Sequence, residues 1–60
     1  MSSRTRMKRA LRAIDDAATA LRHARTRTTE GRIDIDRALS ELDDAEREIR
    51  RALRDLPNEA

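Results

Sequence analysis

Apolar residues recur at heptad spacing in both halves of this 60-residue chain, and that rhythm constrains the fold more than any other feature. Met7, Leu11, Ile14, Ala18 and Leu21 follow one another at steps of 4, 3, 4 and 3. Ile35, Leu39, Leu42, Ile49, Leu53 and Leu56 keep the same beat, with Glu46 at the interrupted position. Steps of three and four place side chains on one stripe of an α-helix. With Leu11 and Leu39 taken as heptad position a, the stripe occupies a and d. Ala10, Ala17, Ala24, Ala38, Ala45 and Ala52 then all fall at g. An a/d/g stripe is wider than a two-stranded seam requires and can meet two neighbours at once.

The breaks in the pattern give the layout. Gly31 is the only glycine, the residue favoured just past a helix C-terminus. Asp34 is suited to cap a second helix and Asp36 to its first turn, with Ile33 before the cap positioned to staple onto Ala38. Thr26, Thr28 and Thr29 are weak helix formers, so fraying is expected from Arg25 onward. Pro57 stops the second helix. The expected elements are a helix over about 3–27, a turn over about 28–33 and a helix over about 34–56. So short a connection makes the helices antiparallel neighbours. The fold class is all-α: a two-helix hairpin with an a/d/g apolar stripe, expected to dimerise into a four-helix bundle. In length and layout the chain resembles the short hairpin proteins that form such bundles.

The halves also resemble each other. Residues 7–25 and 35–53 align at an offset of 28, four heptads. Over Arg9–Arg25, eight of 17 positions are identical, including Arg9-Ala10-Leu11 with Arg37-Ala38-Leu39 and Asp15-Asp16-Ala17 with Asp43-Asp44-Ala45. About two identities are expected from composition alone, so an internal repeat is the reading.

Size makes a lone hairpin marginal. A chain of this length buries only about 60% of its unfolded surface, and the usual supplements are disulfides, metals or oligomerisation. There is no cysteine and only one histidine, so thiol-based and histidine-cluster supplements are excluded. Phe, Tyr, Trp and Val are also absent, leaving Ala, Leu, Ile and Met to build any core. Oligomerisation remains. The expected self-association face is Ala10, Leu11, Ile14, Ala17, Ala18, Leu21 and Ala24 from the first helix, with Ala38, Leu39, Leu42, Ala45, Ile49, Ala52 and Leu53 from the second.

Charge is unevenly divided. Residues 1–32 carry nine basic and three acidic side chains, and residues 33–60 carry five and nine. A hairpin thus lays a basic helix beside an acidic one, and the flanking e positions are expected to bring Arg22 to Asp36. Arg4, Arg6, Lys8, Arg9 and Arg12 crowd a helix N-terminus, where cations are disfavoured, which makes them candidate phosphate contacts.

Signatures of chemistry are missing. Asp15-Asp16 and Asp43-Asp44 are read as solvated acidic edges paired with arginine, and His23 as a surface residue. No nucleophile, base and orienting group fall together, so no enzyme, cofactor, metal or small-molecule substrate is expected. Glu46 interrupts an apolar seam, where a polar residue either fixes register or snorkels outward. Met1–Arg12 has no apolar stretch after its basic residues and no run is long enough to span a bilayer, so a cytoplasmic protein without a membrane partner is expected. The leading expectation for function is a non-enzymatic assembly module that forms a homodimer. Two alternatives stand beside it: a small nucleic-acid-binding regulator using the basic N-terminal arm, and an antitoxin-like helical binder that folds on a protein partner.

Overall fold

The computed structural model, which describes residues 2–57, contains two helices, α1 (Ser3–Arg27) and α2 (Arg32–Asp55), packed against each other as a hairpin. The described residues include no strand. α1 starts at a serine cap: the Ser2 side chain accepts a hydrogen bond of 3.1 Å from the Thr5 backbone N–H, satisfying one of the free donors of the first turn. No carboxylate stands in that turn. α2 ends at Leu56, whose extended backbone (ψ 138°) obeys the restriction that Pro57 imposes on its predecessor.

The connection departs from the sequence reading in three ways. First, α1 stays helical through Arg27, and the Thr26 hydroxyl donates to the His23 carbonyl at 2.7 Å, bonding back to the preceding turn. Second, the chain turns on Thr28 rather than at a glycine after the helix. Thr28 is extended (φ −140°, ψ 147°), and its hydroxyl accepts from the Glu30 N–H at 3.1 Å, forming a compact side-chain-closed turn. Third, Gly31 is the N-cap of α2, not the stop of α1. It adopts the left-handed conformation (φ 75°, ψ 9°), and its carbonyl accepts the first helical hydrogen bond, from Ile35, at 2.9 Å. Asp34 therefore lies inside the first turn, where its charge still favours the helix dipole but caps nothing. Starting α2 at Arg32 also moves Ile33 to an outward b position. It is 84% exposed and makes no staple.

Two polar pairs across the seam share one register. Arg25 Nε lies 2.6 Å from Asp36 Oδ1, and ten residues further from the turn on each helix Asp15 and Glu46 face each other, so that a protonated Glu46 carboxyl can donate to Asp15. The expected Arg22–Asp36 pair is replaced by Arg25–Asp36. Arg25 stands three residues nearer the turn than Arg22 and reaches Asp36 from an a position. Both members of this pair are about half exposed, so it contributes about 0.2–1 kcal/mol.

Little of the molecule is buried. Ala18, at 8% exposure, is the only buried hydrophobic residue among those described. Leu11, Ile14, Leu21, Leu39, Leu42, Ile49 and Leu53 are only half-buried. The shape explains this, with extents of 49 × 16 × 11 Å and a radius of gyration of 14.3 Å, against about 10 Å for a compact chain of this length. A pair of parallel rods has a line of contact and no interior.

Candidate functional site

Running two heptad helices antiparallel puts like positions on the same edge. The crevice between the helices demonstrates it: Asp15 and Arg22 of α1 and Asp43 of α2, all at e, line it together with seam residues Ile14, Ala18, Leu39, Leu42 and Glu46. The hairpin therefore has an e edge and, opposite it, a g edge.

The g edge collects alanine. Ala10, Ala24, Ala38, Ala45 and Ala52 are half-buried beside the seam, whereas Ala17 is exposed. The c positions next to them, which the stripe did not include, extend the surface. On α1 these are Ala13 and Ala20, both exposed, bounded by Arg6 and Arg27. On α2 they are Asp34, Glu41, Glu48 and Asp55, all acidic. Glu41 and Glu48 are tied to their own helix by Arg37 at 3.7 Å and Arg51 at 3.6 Å. Arg6, Arg27, Asp34 and Asp55 make no ion pair among the described residues. Counting c as well as g would have found this surface from the sequence, because the two helices use c so differently.

The e edge carries the titratable seam residue. Glu46 is raised above the ordinary glutamate range. A hydrogen bond with the Asp15 side chain is the largest cause, followed by partial burial and repulsion from the Asp15 charge; Arg50, 3.4 Å away, pulls the other way. Glu46 thus keeps its carboxyl at the crevice rather than swinging clear of the seam. The crevice has a volume of about 40 Å³, far below the ~300–1,000 Å³ of a typical ligand pocket. Asp15 and Asp43 line this crevice, but Asp15 stands opposite Glu46 rather than Asp43. Among the described residues, however, no group of three or more His, Cys, Asp or Glu side chains is placed to hold a metal ion. No described helix is long and apolar enough to cross a membrane.

The five basic residues singled out near the N-terminus do not form one patch. Arg4 is half-buried at an a position, Arg6 stands on the g side at c, Lys8 and Arg12 lie on the e side, and Arg9 takes the outward f position. On α2, Arg47, Arg50, Arg51 and Arg54 line a broad open depression with Leu53. The division into a basic first half and an acidic second half missed this, because it ignored which ends the hairpin brings together.

Comparison with known proteins adds no relative: no family model, curated protein or solved structure matches the chain.

Proposed function

We propose that this chain is a non-enzymatic self-association module, in which two hairpins pack through their alanine-rich g edges into an antiparallel four-helix bundle. The observation that carries this reading is the missing interior. A compact monomer of 6.9 kDa exposes about 4,000 Å², whereas this hairpin exposes 4,999 Å². The excess of about 1,000 Å² is close to the ~800 Å² that one partner buries at a standard interface. A second hairpin covers the half-exposed leucines and isoleucines and turns the contact line into a core.

The g edge is also self-complementary, as a two-fold interface must be. When α1 of one hairpin lies along α2 of the other, Ala13 and Ala20 allow close approach. Arg6 and Arg27 are three heptads apart, as are Asp34 and Asp55, so both free arginines can meet a free aspartate at once. The exposed Ala13, Ala17 and Ala20 and the small crevice of about 40 Å³ between the helices support this reading.

The test is a helix melt followed by circular dichroism over a hundredfold range of protein concentration. Linked folding and dimerisation raise the melting temperature as concentration rises. A cooperative melt that is independent of concentration overturns the proposal. So does a free chain with no helix at any concentration, which fits the partner-dependent binder instead.

A further inference from the structure

The open end of the hairpin carries a charge distribution that self-association through the g edge neither uses nor explains. Stretches 2–12 and 49–57 lie side by side there and hold eight basic residues and one acidic residue. The next level, 13–21 with 40–48, holds seven acidic residues and one basic residue, Arg47. The hairpin is therefore banded along its axis.

The open-end cations are also sorted by face. Positions e and b lie on one side of each helix, and the shared e edge joins them into one surface. α1 contributes Lys8 at e and Arg12 at b; α2 contributes Arg50 at e and Arg54 at b, with Arg47 at b on the border. Arg9 and Arg51, at f, point away from the other helix on opposite sides of the hairpin and lie outside this surface. Asp55, the one acid at this end among the described residues, sits at c on the opposite edge. Two of the arginines are held in orientation by their own helix: Arg47 by Asp43 at 3.0 Å and Arg50 by Glu46 at 3.4 Å. Lys8, Arg12 and Arg54 have no carboxylate within reach among the described residues. Five like charges on a face about 10 Å long repel one another and weaken the hairpin unless an anion meets them.

We infer that this two-helix face binds the phosphate backbone of double-stranded nucleic acid. Four of its five cations are arginine, whose planar guanidinium engages phosphate through two parallel hydrogen bonds. Two rigid helices hold the cations at fixed spacing, which suits the regular phosphates of a duplex. Single strands are instead gripped by stacking bases on aromatic rings, and this chain has none. The neighbouring band sets the direction of docking. Asp15 and Asp43 occupy the same e positions one level down, so a duplex crosses the open end and is repelled from running along the hairpin. The face lies on the edge opposite the alanines, so the inference does not rest on self-association.

The test is fluorescence anisotropy of a labelled 20-base-pair DNA duplex with the full chain across a sodium chloride series, with circular dichroism to confirm helix in every variant. Three free to five total cations predict a slope of log K against log salt of about −3 to −5. Arg12→Gln and Arg54→Gln, one from each helix, are each expected to weaken binding and flatten that slope by about 1. Arg37→Gln removes the same charge near the turn and is expected to leave the slope unchanged. The inference is overturned by no binding at about 20 mM salt, or by tighter binding of a single strand than of the duplex. Equal losses for Arg37→Gln and Arg12→Gln overturn it by showing a net-charge effect alone, as does binding of phosphatidylserine vesicles without binding of the duplex. A loss for Arg12→Gln with none for Arg54→Gln overturns the two-helix face in favour of an N-terminal arm.

Discussion

Replacing Ala17 by glutamate separates association from folding, because Ala17 is exposed in the hairpin while its neighbour Ala18 is 8% exposed in the seam. Within one hairpin Ala17→Glu costs only the helix-propensity difference, about 0.4 kcal/mol. In the dimer the same side chain enters the alanine patch between Ala13 and Ala20. An unpaired buried carboxylate costs about 3 kcal/mol or more. A two-fold interface brings in two, one from each protomer. The dimer therefore weakens by about 6 kcal/mol, or about 10⁴-fold in dissociation constant at 1.4 kcal/mol per factor of ten. Sedimentation velocity of the wild type and Ala17→Glu at matched concentrations reads this directly. Ala18→Glu serves as the contrast: it places the charge in the seam and is expected to abolish helix as well as association. Ala17→Glu that associates as tightly as the wild type refutes the reasoning, since it shows that the g edge of α1 is not where a second hairpin sits.

Three further outcomes follow from the seam and the turn. Because the Glu46 pKa is raised, the folded chain holds that proton more tightly than the unfolded one; its contribution favours folding below the ordinary value near 4.5 and is lost as pH rises through the raised value. Glu46→Gln is accordingly expected to melt higher than the wild type at pH 7 and level with it at about pH 4; equal melting at pH 7 contradicts the Asp15 contact. Gly31→Ala meets no neighbour within 4 Å of its new Cβ, yet φ of +75° should cost about 1–2 kcal/mol by denaturant titration, and a loss of only a few tenths would show that the turn relaxes. Ile33→Ser should change stability by no more than about 0.5 kcal/mol, given 84% exposure; a larger loss would restore the staple that the structure lacks.

The heptad rhythm carried most of the fold, because steps of three and four admit one backbone and a single short break admits one hairpin. The details at the turn were less legible. Gly31 fits the end of one helix and the start of the next equally well by residue type, and only the hydroxyl of Thr28 decides between them, by closing the turn three residues earlier. That early start of α2 puts Ile33 in the first helical turn, where it is exposed, and Asp36 meets Arg25 rather than Arg22. The candidate surfaces were legible in part. The alanines at g are a sequence pattern, but the role of c emerged once the edges were known, with Arg6 and Arg27 on one helix and four acids on the other. The basic face at the open end was hidden for a different reason. Lys8 and Arg50 are far apart in the chain, and their sharing of one edge at the open end is a property of the hairpin rather than of either segment.

The central claim is that one hairpin lacks a core and a second copy supplies it. Sedimentation equilibrium of the unmodified chain at micromolar concentration, with circular dichroism on the same samples, tests this most directly. The account predicts a helical species of twice the 6.9 kDa chain mass, dissociating with loss of helix on dilution. A fully helical species at the mass of a single chain, unchanged on dilution, would contradict it.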